Sequence, residues 1–145
     1  MPQPIAYLAF NGNCREAMQF YAQALEGQIE AMLSQGESPM AGQMPPESKD
    51  SIMHACLNLP QGGVLMAGDH CCSDRPYEGM KGFQLTLNYD TVEEAERRFR
   101  ALAEGGTVVM DLQPTFWAKT WGMLVDRFGT PWIVNGETIP METQS

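Results

Sequence analysis

A chain of 145 residues, 43% of them hydrophobic, suits one globular domain with a sizeable core. A net charge of −9 and the lack of a basic stripe argue against nucleic acid and an anionic membrane surface as partners. No apolar run approaches the ~20 residues that cross a bilayer, and the opening MPQPIAYLAF has no basic stretch ahead of a long apolar one, so a cytoplasmic location is expected.

IAYLAF reads as the first strand, and NCREAMQFYAQALEG follows as a helix. Ala17, Phe20, Tyr21, Ala24 and Leu25 recur with helical spacing on one apolar face. Asn13 and Glu16 stand where a capping box needs them, and Gly27 stands at the C-terminal end. Cys14 falls in the first turn, where a helix dipole lowers a thiol pKa. With no base beside it in sequence, it is expected to be a partly buried spectator.

QIEAMLSQ, IMHACLNL and GVLMAG follow as β-rich segments. The first two are separated by GESPMAGQMPPESKD, a Gly-, Pro- and Ser-rich loop over about 36–50, long enough to act as a lid. GDHCCSDRPYEGMKG then joins the two halves. Its adjacent Cys71 and Cys72 suit neither an ordinary disulfide nor, with His70, a single metal ion, so reduced thiols are expected.

The second half repeats the order. GFQLTLNY reads as a strand, and TVEEAERRFRALAEGG as a helix with Val92, Ala95, Phe99 and Leu102 on one face. Thr91 and Glu94 form its capping box and Gly105 closes it. TVVMDLQ, KTWGMLVD and PWIVN are the later strands. One constant offset superposes Glu16 on Glu94, Ala17 on Ala95, Tyr21 on Phe99, Gly27 on Gly105 and Met32 on Met110. The pattern is βαβββ twice, in an α+β chain. The modules run over about 4–70 and about 80–136 within a single domain spanning 1–145, because neither half could bury its sheet alone.

Alternation sorts the faces. Phe83, Leu85 and Leu87 should pack on a helix, leaving Gln84 and Thr86 on the other side. Met53, Ala55, Leu57 and Leu59 form the apolar face of IMHACLNL, and His54, Cys56 and Asn58 form a polar stripe. His54 is a candidate general base or ligand contact, since an imidazole can be tuned to near neutrality. It is equally readable as a structural histidine.

The strings AYLAFNGNCREAMQFY, HACLNL and TFWAKTWGMLVDRFGTPWIVN resemble the PhnB-like branch of the vicinal-oxygen-chelate superfamily, over about Pro4 to Asn135. That superfamily includes glyoxalase I, bleomycin-resistance proteins and extradiol dioxygenases. The resemblance implies an incomplete eight-stranded barrel, a cup with helices outside, and a homodimer. Metal-using relatives carry His, Glu or Gln at four cup positions, which match Ala6, Met66, Gln84 and Ile133 here. Only Gln84 keeps a donor. Shifting the match by one residue gives Ile5 or Tyr7, Leu65 or Ala67, Phe83 or Leu85, and Trp132 or Val134, which are no better. The cup is therefore expected to hold no metal. Members of the branch often bear a 3-demethylubiquinone-9 3-methyltransferase label. No strand here runs into a glycine-rich loop and helix of the nucleotide-holding kind, so S-adenosylmethionine is not expected and no cofactor is assigned.

Within that framework Gln84 and Thr86 should point into the cup beside Ala6 and Leu8. FWAKTWGMLVDRFGTPW holds all three tryptophans. Trp132 should face the helix layer, Phe116 should sit at the rim, and Trp117 and Trp121 should wall the pocket. The expected ligand contacts are His54, Cys56, Met66, Gln84, Thr86, Trp117 and Trp121. The function expected is the binding of a small apolar or aromatic molecule in a metal-free cup lined by adaptable side chains, methionines among them. Two alternatives stand. One is an enzyme: a metal-dependent lyase, isomerase or dioxygenase with unusual ligands, or a metal-free isomerase using His54. The other is a dimeric structural or partner-binding module.

Overall fold

Tyr7–Phe10 form strand β1, Cys14–Ala24 helix α1, Gln28–Ser34 β2, Ile52–Asn58 β3 and Val64–Asp69 β4. The order recurs as β5 (Leu85–Tyr89), α2 (Val92–Ala103), β6 (Thr107–Gln113), β7 (Ala118–Val125) and β8 (Pro131–Thr138). This computed structural model describes residues 4–39, 42, 49–70 and 76–139. They fall into two compact units divided after Gly79. Each unit is one βαβββ module, as the sequence predicts, and the fold is α+β. Cys71, Cys72 and much of the 36–50 loop lie outside the described residues. Among those residues no helix is long and apolar enough to cross a membrane.

Strand pairing closes within each unit, giving sheets of order β1-β4-β3-β2 and β5-β8-β7-β6. The first strand of each module runs parallel to the last, and the other pairs are antiparallel. Each helix covers one face of its own sheet. In the first unit Ala17, Tyr21 and Ala24 of α1 are buried, as are Leu8, Phe10, Ala55, Leu57, Leu65 and Ala67 of the strands. In the second, Ala95, Phe99 and Leu102 of α2 are buried, as are Leu124, Trp132 and Val134. The approach of α2 requires glycine beneath it. A Cβ at Gly136 would lie 2.7 Å from Ala95 Cβ, and one at Gly122 would lie 2.8 Å from the Phe99 ring.

The helix ends depart from the sequence reading. Asn13 makes no side-chain cap bond. Asp69 of β4 takes its place: Oδ1 accepts from the amides of Gly12 (3.0 Å) and Cys14 (2.9 Å), and Oδ2 accepts from Ile52 N (2.8 Å). In α2, Thr91 Oγ1 does accept from Glu94 N at 3.1 Å. The Glu94 carboxylate turns to Arg97 (2.7 Å) and Arg98 (2.8 Å), and Glu137 Oε2 accepts from Val92 N at 3.2 Å. After α1 it is Glu26, not Gly27, that takes the left-handed conformation.

The register also corrects an expectation. Asn11, Gly12 and Asn13 separate β1 from α1, whereas only Asp90 and Thr91 separate β5 from α2. The offset that superposes the helices therefore slips by one residue at the strands before them. Met66 pairs with Tyr7, not Ala6, and Ile133 pairs with Thr86. Leu8 lies with the helix-facing residues, 2% exposed. One residue of slip moves a side chain to the other face of a sheet.

Candidate functional site

In the second unit, the face turned away from α2 carries two rows of side chains. Asn88, Asn135, Trp121 and Gln113 share one row across β5, β8, β7 and β6. Thr86, Ile133, Met123 and Met110 share the next. Trp132, Val134, Leu124 and Gly122 alternate with these and face α2.

Trp117 is brought over the first row by the connection between β6 and β7. Pro114 follows the last residue of β6, where a missing amide ends the ladder. The turn closes with Thr115 N donating to Ala118 O at 3.0 Å, and Ile139 N donates to Trp117 O at 2.6 Å. Trp117 Nε1 donates to Asn135 Oδ1 at 3.2 Å. Asn135 Nδ2 donates in turn to Asn88 Oδ1 at 2.9 Å. Asn135 is only 7% exposed, so its carboxamide needs both partners. The Trp117 and Trp121 rings meet edge to face, with centroids 5.7 Å apart and planes at 80°. Phe116, 75% exposed, meets the outer side of Trp117 at 4.8 Å and 87°.

In the first unit the corresponding face carries Tyr7, Met66, Cys56 and His54. Tyr7 pairs with Met66, and Met66 with Cys56. Tyr7 Oη donates to Met53 O at 3.1 Å and lies 3.5 Å from His54 Nδ1, with the two rings stacked at 5.9 Å. Burial, and then the charge of Cys14, raise the Tyr7 pKa, so the phenol stays protonated at neutral pH. A register shift between Ile29 and Ala31 accompanies Glu30, whose Oε2 accepts from Asn58 Nδ2 at 3.0 Å and lies 3.7 Å from Cys56 Sγ. Burial, the Glu30 charge and that contact push the Cys56 thiol up, leaving it a weak nucleophile.

The residues named from sequence thus divide between units. Trp117, Trp121 and Thr86 share one sheet face of the second. His54, Cys56 and Met66 share one face of the first. Gln84 precedes β5, exposed, in a groove of about 460 Å³ lined by Met80–Gln84 and Pro131. Sequence reasoning missed Asn88, Asn135 and Glu30, and named Tyr7 only as a shifted alternative to Ala6. The first two could have been found by extending the strand alternation from Thr86 and Ile133 by two residues each.

Opposite Met66 and Ile133, two of the positions matched to metal ligands in the superfamily, the register places Tyr7 and Thr86. A protonated phenol, a thioether, a hydroxyl and an alkyl chain do not fit a divalent centre built from His, Glu or Gln. Among the described residues no three His, Cys, Asp or Glu side chains converge elsewhere. A nucleotide-type cofactor does not fit either. In a doubly wound fold it would sit at a helix N-terminus, and here the first amides of α1 and α2 are taken by the carboxylates of Asp69 and Glu137.

Residues 2–135 match the family model described as 3-demethylubiquinone-9 3-methyltransferase. The chain belongs to this family. Protein YjdN of Escherichia coli K12 is 34% identical over 137 residues, covering 89% of this chain and 91% of that protein. The crystal structure of protein PA1353 from Pseudomonas aeruginosa is 52% identical and superposes with a TM-score of 0.85, over 94% of this chain and 98% of that one. The PhnB protein from Bacillus cereus shares the fold at 24% identity and a TM-score of 0.74, over 93% and 99% of the two chains. A glyoxylase/bleomycin resistance protein/dioxygenase domain from Frankia sp. EAN1pec shares it at 13% identity and 0.61, over 93% and 96%. Within that family the chain has the fold of the PhnB protein and of the glyoxylase/bleomycin resistance protein/dioxygenase domain.

Proposed function

We propose that this PhnB-like domain binds a small apolar or aromatic molecule, without a metal, on the face of the second sheet that α2 leaves uncovered. The supporting observation is the Trp117–Trp121 pair, held in place by the Trp117 bond to buried Asn135. Two indoles fixed before binding lose little side-chain freedom when a ligand arrives. Each Å² of apolar surface they cover is worth roughly 25 cal/mol. Thr86 and Gln84 supply polar contacts on the β5 side. His54, Cys56 and Met66 are a separate set of candidate contacts, on the first sheet. The protein works as a cytoplasmic homodimer in this reading. Val108, Val109 and Met110, exposed on edge strand β6, suit an apolar contact with a second copy.

Native mass spectrometry of untreated protein tests this. A copurified organic ligand on a dimer is the expected result. Near-stoichiometric zinc, nickel, iron or manganese that is lost on Gln84→Ala would sink the metal-free reading. Indole fluorescence should fall on ligand addition and trace to Trp117 or Trp121. Quenching that survives changing both would count against the site.

The Tyr7–His54 stack favours one second reading, catalysis with His54 as base. Tyr7 Oη spends its hydrogen on Met53 O, so a hydrogen on His54 Nδ1 can face the phenol oxygen and leave Nε2 as the acceptor. Turnover of a bound ligand that His54→Gln abolishes while binding persists would establish it over simple sequestration.

A further inference from the structure

The hydrogen bonds around Asn135 have a direction. An indole N–H can only donate, so the Asn135 atom that meets Trp117 is the carbonyl oxygen. The amide nitrogen of Asn135 must then be the atom that meets Asn88, and it too only donates. That fixes the Asn88 atom as the carbonyl oxygen and turns the Asn88 amide nitrogen away from Asn135. Three side chains are thus oriented by one indole. The relay ends on an NH₂ group that, among the described residues, has no hydrogen-bond partner. Asn88 is exposed, two residues along β5 from Thr86 on the same face, and one strand beyond Asn135 in the row that contains Trp121.

We propose that this relay makes the site selective for aromatic ligands that carry a hydrogen-bond acceptor at the ring edge, a carbonyl-type oxygen above all. The ring lies against Trp121 and Trp117, and the oxygen accepts from Asn88 Nδ2. A ligand that offers a donor at that edge meets another donor and is disfavoured, because a buried unmatched pair loses its water without replacement. The net charge of −9 disfavours an anionic acceptor, which leaves a neutral aromatic ketone, lactam or ester as the matching chemistry. This inference rests on the aromatic-binding reading and adds the polarity of the contact.

The test uses the full chain and two probes that differ in one functional group, 2-acetylnaphthalene and 2-ethylnaphthalene. Proton–nitrogen correlation spectra report the indole and side-chain amide signals as each is added. The ketone should bind roughly threefold to tenfold more tightly, the range a single net hydrogen bond supplies. It should shift the Asn88 amide and the Trp117 and Trp121 indole signals. Asn88→Leu should erase the preference, so that within the variant the ketone binds no more tightly than 2-ethylnaphthalene. Asn88→Asp, which puts an acceptor where the donor was, should weaken the ketone further. An unshifted Trp132 indole signal verifies the fold of each variant. If both probes bind the wild type equally at Trp117 and Trp121, aromatic binding stands and the polarity inference is overturned. A preference that survives Asn88→Leu overturns it as well. If neither probe moves the Trp117 and Trp121 signals, the binding reading itself fails and the inference falls with it.

Discussion

Trp132 Nε1 donates to Asp126 Oδ2 at 2.8 Å, and both residues are buried. The other oxygen of Asp126 accepts from Phe128 N at 2.8 Å and from Thr130 N at 3.1 Å. One carboxylate therefore shapes the turn before β8 and ties it to the largest side chain of the second core. Asp126→Asn puts amide hydrogens against at least one of these donors. It should cost about 1–3 kcal/mol, the range for an unsatisfied buried group. Urea unfolding measures this as a lower midpoint at unchanged slope. An unchanged midpoint would refute the role.

Asp69 should matter to α1 far more than the residue at the N-cap position itself. Asp69→Ala removes acceptors from Gly12, Cys14 and Ile52 and should cost about 2 kcal/mol. Asn13→Ala removes no side-chain cap bond and should stay within about 0.5 kcal/mol. Comparable losses in the two variants, measured by thermal unfolding followed by circular dichroism, would mean that α1 is capped locally after all.

Cys14 is the buried spectator that the sequence leads one to expect, and the helix N-terminus does not activate its thiol. Burial, then the charge of Asp69, push its pKa to about 12 despite the lowering effect of Arg15. An unfolded thiol ionises near 9.0, so between that value and about 12 the unfolded state binds fewer protons. Stability is complete below the lower value and declines as pH rises through the window. Cys14→Ala should flatten that decline in pH-dependent urea titrations. Iodoacetamide at pH 8 should spare the Cys14 peptide in native protein and modify it in urea, as read by peptide mass mapping. Rapid native labelling would show the site to be open.

Three carboxylates act in the opposite direction. Side-chain bonding to Lys119, and then the Val92 amide, hold Glu137 below the usual range. Arg97 first does so for Glu94, and Ser34 for Glu37. Groups with depressed pKa values stabilise the fold above their unfolded pKa, and that contribution is lost as pH falls through the folded one. Melting temperature should begin to drop below about pH 4.5. Lys119→Met should make the drop shallower, and because the pair is exposed, added salt should do the same. A drop identical to that of the wild type in low salt would remove Glu137 from the account.

All eight strands and both helices were legible, the helices from apolar spacing, β3 and β5 from alternation, and the other strands from β-rich composition in a repeated order. The interior place of Trp132 followed from the same parity. What escaped was whatever depends on a partner distant in sequence. Nothing near Asn13 announces that Asp69 will supply the cap. The extra residue between Phe10 and Cys14 is invisible to a repeat anchored on helices, and it moved Leu8 to the helix side and brought Tyr7 level with Met66. Asn88 and Asn135 are ordinary strand residues in the sequence. They acquire a direction only when Trp117, fixed by the Thr115–Ala118 turn, reaches across to them.

The two helix caps draw on partners at different distances along the chain. Thr91 sits beside α2 and can bond Glu94 N as soon as that stretch of chain turns helical. Asp69 reaches Cys14 only after a segment of 55 residues has closed. Closing a long segment costs entropy before any contact repays it. Both helices also take a bond to their first amide from a remote carboxylate, Asp69 for α1 and Glu137 for α2, but only α2 has a local side-chain cap beside it. Two copies of one motif thus differ in how much of each helix start is encoded next to the helix itself.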